Sequence, residues 1–341
     1  ITVKGKFLNW KVWLGLLISS ICLYLAFRGT EPGESWAVIR TADLSFLFLA
    51  VIVTFFQFVV RAWRWKRLLL PIKETSFANR LSSTLIGFAA NCVLPARMGE
   101  FIRAGYLGKT EKISGSSSFG TIVVERFFDG FTLLLVLLIG IMTATFPEEL
   151  GFISGKLRNM GLLMFFFYVL VIIFLAGIKY RTGTFLNFFN RIFFFLPDHM
   201  RTGFLNMVNN FSQGLVIIKG ISSWIQMIFY SFLIWGLGLL QISLINQSIG
   251  LELPFISTFL MLSIASFGVL IPSAPGYIGT FHAAVRYGLL LFGVSSQQAL
   301  PAAIIWHAVF FFPTIVFGLL ALLYLQIVTG RSWEYRDNIS V

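Results

Sequence analysis

Apolar residues gather in long unbroken blocks along this chain, without the strict alternation of a half-buried strand or the single apolar stripe of a helix on a soluble core. A helix needs roughly 20 residues to cross a hydrocarbon layer of about 30 Å. Six blocks read as spanning helices: residues 12–27, 44–60, 119–145, 161–178, 221–245 and 299–327. A further block, Leu81–Leu94, is too short to cross and runs into Pro95, with Arg97 and Glu100 directly behind it. The segments on either side of it are both basic, so a hairpin that enters and leaves on one side fits better than a crossing. Its break falls at Pro95–Gly99 and the whole hairpin covers 81–108. Irregular backbone at that depth is tolerated where protein or a wet cavity surrounds it.

The device recurs about half the chain later. Val93-Leu94-Pro95 with Gly99 matches Leu270-Ile271-Pro272 with Gly276, so that Pro95 pairs with Pro272, and Pro275 adds a second break. The same shift lays block 44–60 on the start of 221–245, and nearly the same shift carries 119–145 onto 299–327. The pattern predicts an all-α polytopic membrane protein: six full transmembrane helices and two re-entrant helical hairpins, 81–108 and 257–292. Three spans per half is an odd number, so the halves 1–150 and 151–341 would form an inverted repeat. Such repeats place a transport site at their interface. Segment 180–219 is Phe-rich but broken by Asn187, Asn190 and Arg191, which suggests an amphipathic interfacial element lying on the membrane within the second half or, in the plainer reading, a docking linker between the halves.

Composition agrees with a membrane solvent: 57% of the 341 residues are hydrophobic and 12% charged, and mean hydropathy is +0.85. The net charge of +12 is unevenly spread, with 20 of the 26 basic residues in loops on one side of this topology. By the positive-inside rule those loops, and both termini, are cytoplasmic. The charge thus reports orientation and not nucleic-acid binding. The first block reads as an anchor, since no small-residue cleavage pattern follows it. Cys22 and Cys92 both fall in apolar segments, so neither a disulfide framework nor a cysteine metal site is expected.

Ionisable residues at membrane depth are costly unless paired or hydrated, so the few present are candidates for function. The first hairpin offers Arg97, Glu100 and Arg103, and the third span offers Glu125, Arg126 and Asp129. Glu125 and Asp129 share a helix face and need a cation between them, which Arg97 or Arg103 can supply. Two readings stand side by side: a staple that holds the hairpin to the third span, or a site where an arginine fork grips an anion such as phosphate. In the second half Tyr277, His282 and Arg286 are candidates, with Arg286 lacking an acidic neighbour in sequence, while His307 reads as a core histidine. No metal-ligand spacing, phosphate-cradling glycine loop or nucleophile elbow occurs, so neither a metal nor a cofactor is expected and an enzyme is disfavoured.

The segments LPARMGEFIRAGYL, VVERFFD and PSAPGYIGTFHAAVRYGL together resemble the lysylphosphatidylglycerol synthase transmembrane-region family, flippase-like membrane proteins of bacteria and archaea. The resemblance runs over nearly the whole chain. It implies a lipid-translocating module of the bacterial or archaeal cytoplasmic (inner) membrane, as in multiple peptide resistance factors. It matches Pro95, Arg97, Gly99 and Glu100 to the family's Pro-x-Arg-x-Gly-Glu, Glu125, Arg126 and Asp129 to its Glu-Arg-x-x-Asp, and Pro275-Gly276 to its second break. Trp306-His307 departs from the Tyr-Arg-like pair expected there. Residues and resemblance lead to one expectation: a flippase or scramblase for an anionic phospholipid or polyprenyl-phosphate-linked lipid. Its partners would be membrane lipids with anionic headgroups, and a separate lipid-modifying enzyme is a candidate beside them. Transport of a small soluble anion and a membrane-embedded lipid-modifying enzyme are the alternatives.

Overall fold

The structure is a computed structural model that describes residues 10–94, 97–143, 155–156, 159, 161–170, 183, 187–188, 190–191 and 221–329. Most of segment 180–219, the later part of block 161–178 and Pro95 lie outside the described residues. Every regular element among the described residues is helical.

In chain order, α1 is Trp10–Phe27, α2 Pro32–Arg40 and α3 Leu44–Leu69. Next come α4 (Phe77–Val93), α5 (Gly99–Glu111), α6 (Gly115–Thr143) and α7 (Gly161–Leu170). The second half holds α8 (Ile221–Ser248), α9 (Ser257–Leu270), α10 (Thr280–Leu290) and α11 (Ser296–Thr329), with a 3-10 turn at Pro275–Tyr277 between α9 and α10. Three helices have the length and apolarity of a membrane span: Leu44–Leu69, Ser222–Ser248 and Ser296–Ile327. The apolar parts of α1 and α7 are shorter. The 29-residue α6 is long enough but carries three charges in its first half. The hydropathy pattern does not announce α2. Its Pro32 opens the first turn, where the missing N–H costs nothing, and its Glu34 and Arg40 suit the two ends of the helix dipole.

One helix is longer than its apolar block. The span expected at 44–60 does not end there; α3 continues to Leu69 with Arg61 and Arg64 inside it, both buried, so these are not the loop residues that the hydropathy pattern makes of them. The helix continues because Asp129 and Glu125 of α6 satisfy these guanidinium groups inside the protein.

The two halves embrace one another. Thr54 meets Gln241, while Arg64, further along α3, meets Ser231, earlier in α8, so these two helices run antiparallel. The first hairpin arm α4 packs on α11, and the second hairpin arm α9 packs on α6. Within each hairpin the arms cross at a glycine. A Cβ at Gly87 would stand 2.6 Å from Arg103 Cβ, and one at Gly268 would stand 2.6 Å from Ala284 Cβ. The packing thus pairs Gly87 with Gly268 and Arg103 with Ala284 at one common spacing. That spacing is wider by about a helical turn than the one that pairs Pro95 with Pro272, because α9 ends about a turn before the place that corresponds to the end of α4, so Pro272 stands earlier in its hairpin than Pro95 does. The register read from the Pro-x-x-x-Gly match is corrected accordingly. The largest apolar core joins α8, α9, α10 and α11, and a second joins α3, α5 and α6.

Candidate functional site

The first hairpin is fixed by its own polar groups. Asn91 near the end of α4 accepts the Gly99 N–H at 2.8 Å, and Gly99 leaves no room for a side chain because the Gly87 carbonyl lies against it. Between them Arg97 adopts a left-handed φ of 54°, an unusual conformation for a non-glycine residue. In the second hairpin Pro272 lies in the extended stretch after α9, Pro275 opens the 3-10 turn, and Gly276 and Tyr277 take φ of 79° and 57°. The second turn lies against the end of α4: the position a Gly276 Cβ would fill is 3.6 Å from the Cys92 carbonyl.

Behind the first hairpin lies a buried ion network. Arg103 forks onto Glu125, with Nη1–Oε1 at 2.8 Å and Nη2–Oε2 at 3.0 Å, and its guanidinium lies 3.8 Å from the centre of the Trp65 ring. That bidentate bond, backed by a cation–π contact, is the strong form of the interaction. Arg64, with no exposed side-chain surface, donates to Asp129 at 2.6 Å and to the Ser231 hydroxyl at 2.8 Å, and lies 3.4 Å from Glu125. Arg61 completes Asp129 at 3.3 Å. Arg126 bridges Glu125 at 2.8 Å and Asp129 at 3.2 Å, and reaches Glu100 at 3.7 Å.

This arrangement sorts the residues singled out from sequence. Glu100, Arg103, Glu125, Arg126 and Asp129 come together. Arg103 spends its fork on Glu125 and faces the network, so it belongs to the staple and not to the ligand-facing set. Arg97 forms no ion pair among the described residues. Two further members, Arg61 and Arg64, do not stand out in the sequence. Their signal, arginines at i and i+3 next to Trp65, reads there as the start of a loop.

A cavity of about 530 Å³ opens beside the network at the junction of the halves. Its charged end is formed by Arg61, Arg97, Glu100, Arg126 and Asp129, its middle by Thr54, Gln57, Asn91 and Gln241. Gln57 donates to Gln241 at 2.8 Å, and Gln241 to Thr54 at 2.5 Å, which ties α3 to α8 across the cavity. Tyr277, Phe281, His307 and Phe310 line it from the second half. Arg126 is 32% exposed, and its Nε has no hydrogen-bond partner among the described residues. Counting cavity and network together, five arginines (61, 64, 97, 103 and 126) face three carboxylates (Glu100, Glu125 and Asp129), a surplus of two positive charges. Chemically, the site is suited to receive an anion at its charged end.

Two second-half candidates do not face this site. Arg286 donates to the carbonyls of Leu25 at 2.6 Å and Arg28 at 2.9 Å, so it caps the end of α1 and is not an unpaired cation waiting for a ligand. No acidic partner shows in the sequence because the partners are backbone oxygens 258 and 261 residues away. His282 lies behind the cavity wall, where its Nδ1 accepts the Gly279 N–H at 3.4 Å. Among the described residues no group of three or more His, Cys, Asp and Glu side chains is placed to hold a metal ion.

Residues 12–318 match the family described as "Lysylphosphatidylglycerol synthase TM region". The chain belongs to that family. It is 22% identical to a UPF0104 membrane protein of Methanothermobacter thermautotrophicus over 318 residues, which covers 91% of this chain and 94% of the relative. A UPF0104 membrane protein of Pyrococcus horikoshii is 23% identical, with 92% and 97% covered. Glycosyltransferase AglD of Haloferax volcanii is 23% identical over 355 residues, 95% of this chain but 56% of AglD. Family membership and long apolar helices together make this a multi-pass membrane protein.

Proposed function

We propose that this member of the lysylphosphatidylglycerol synthase transmembrane-region family is a lipid flippase or scramblase. Its cargo would be an anionic phospholipid or a polyprenyl-phosphate-linked lipid. The observation that carries the reading is Arg97: it lines the cavity and makes no ion pair among the described residues, and the partly exposed Arg126 lines the same space. A phosphate headgroup cannot cross hydrocarbon unaided. A cavity between the halves solvates it while the tails remain in lipid, and about 530 Å³ falls in the range of small-ligand sites. That one relative is named a glycosyltransferase brings lipid-linked sugars among the cargoes worth testing.

The antiparallel pair α3/α8 and the exchanged pairs α4/α11 and α9/α6 support an inverted repeat with two re-entrant hairpins. We place the protein in the cytoplasmic membrane of a bacterium or archaeon with both termini inside. Arg61, Arg64, Arg80 and Arg103 are buried and drop out of the loop count, yet Lys66, Arg67, Lys73, Lys109 and Lys112 keep the bias.

The test is translocation of labelled phosphatidylglycerol and labelled polyprenyl phosphate in proteoliposomes, alongside uptake of soluble phosphate. Wild-type protein is expected to equilibrate a lipid between leaflets, and Arg97→Ala to abolish this while staying folded. Phosphate uptake without lipid movement would move the assignment to a soluble-anion transporter. Stability lost in Arg97→Ala and regained with activity in Arg97→Ala/Glu100→Gln would make Arg97 part of the staple.

A further inference from the structure

The second half places a titratable pair at the cavity wall, with His307 lining the space and His282 behind it. His282 on α10 and His307 on α11 have ring centroids 4.7 Å apart. Their hydrogen bonds fix where the protons of the neutral rings lie. His307 Nε2 lies 2.7 Å from the Gly276 carbonyl, which can only accept, so Nε2 carries the proton and Nδ1 is free. His282 Nδ1 accepts the Gly279 N–H, so its proton is on Nε2. One more proton can enter at His307 Nδ1 without disturbing the bond to Gly276. The same proton on His282 Nδ1 ends the bond from Gly279, the residue that starts α10. Two imidazolium ions about 5 Å apart repel strongly, so once one proton is bound the pair resists a second.

We propose that His282 and His307 form a one-proton site on the second-half side of the cavity, and that this proton binds together with the anionic group held at Arg97. The second part rests on the function proposed above. His307, Arg97 and Arg126 line the same space, so a proton on the pair raises its attraction for an anion, and by linkage a bound anion strengthens proton binding. Few other charges compete. On α10 Arg286 and Tyr287 are turned to the carbonyls at the end of α1, and in the turn Tyr277 is the titratable group. The sequence of α9 has none, α11 adds Tyr324 far along its length, and α1 brings Cys22 and Tyr24. Of the helices packed on α11, α2 brings Glu34 and Arg40, α8 brings Tyr230, α4 brings Cys92 with Arg80 turned to Thr75 at its far end, and α3 brings Arg61 and Arg64, both turned to Asp129, with Lys66 and Arg67 beyond them. Across the cavity stand Arg97 and Glu100, with Arg61, Arg126 and Asp129 at the same charged end.

The chain has three histidines, so a His199→Gln protein labelled with nitrogen-15 at histidine reports the pair alone in NMR. At neutral pH both rings are expected as the Nε2–H tautomer, and on acidification one proton enters well before the other. His282→Gln or His307→Gln should leave a single step. Two coincident steps, each unchanged when the other histidine is removed, would overturn the one-proton site. For the linkage, the probe is dihexanoyl phosphatidylglycerol below its micelle concentration, followed by tryptophan fluorescence. Its affinity is expected to rise about threefold to tenfold across the first proton step, and the His307→Gln protein should bind it with no such rise. Equal probe affinity on both sides of that step in the wild type overturns the linkage. No binding at any pH instead removes the Arg97 reading and leaves the histidine titration to decide the proton site alone.

Discussion

The two hairpins share a shape but are held by opposite chemistry. The first is stapled to α6 by charge: Arg103 and Glu125 are both buried, and Arg64 and Arg126 flank them. In the second, the register that pairs the glycine crossings puts Ala284 in the place of Arg103 and Trp306 in the place of Glu125. There the contact is apolar, with Phe281, Val285 and Leu289 against Ala299, Ala302 and Trp306, and the one long-range polar bond of Trp306 goes to Asn246 at 3.2 Å. A frame with similar packing in both halves therefore encloses a cavity with one charged end. The charge surplus that could hold an anion comes from the first half. The second half supplies aromatic rings and two neutral-capable histidines.

Breaking the staple should have the largest effect on stability. Glu125→Ala strands Arg103 without its carboxylate partner, and is expected to cost about 3–5 kcal/mol. Thermal unfolding in detergent measures it, and Glu125→Ala/Arg103→Leu should recover part of the loss. A smaller loss in the single variant than in the double would contradict the staple. The second hairpin offers no equivalent bond to break; its weak point is close packing. Gly268 of α9 lies against Ala284 and the Thr280 carbonyl of α10, so Gly268→Leu should cost about 1–3 kcal/mol through overpacking. Arg286→Ala removes two charge-assisted hydrogen bonds to α1, an expected loss of about 1.5–3 kcal/mol. Limited proteolysis should show α1 released first, and an unchanged α1 cleavage rate would count against its role as a pin. Arg97→Ala has the smallest expected effect on stability, within about 0.5 kcal/mol, since no ion pair among the described residues is lost. It sharpens the comparison because transport, and not the melting temperature, is what it should change.

Much of the helical plan is legible in the sequence because a lipid solvent forces long apolar runs, and breaks such as Pro272 and Gly276 stand out within them. The charged end of α3 is not legible. Arg61 and Arg64 follow an apolar run just as loop arginines do, and their shared partner Asp129 lies 68 and 65 residues later. The pairing of Arg103 with an α6 carboxylate can be anticipated because both stand in runs where an unpaired charge is expensive. Arg286 cannot be placed, because its acceptors are backbone carbonyls and every residue has one. The hairpin register escapes for a related reason: the Pro-x-x-x-Gly match aligns prolines that stand at different places in their hairpins, whereas the glycine crossings that set the packing have no sequence signature.

The glycines that join the halves have a mechanical consequence. Gly140 on α6 faces Leu260 on α9, and Gly318 on α11 faces Ala89 on α4. Where helices interlock through side chains, relative motion must lift one ridge over another. At these two contacts a glycine presents bare backbone, so no side-chain ridge stands in the way of a hairpin arm rolling against the long helix beside it. Cysteine pairs set one turn above and below Gly318 and Ala89 would read that motion: cross-links forming at both registers indicate rolling, and a single register indicates a locked joint.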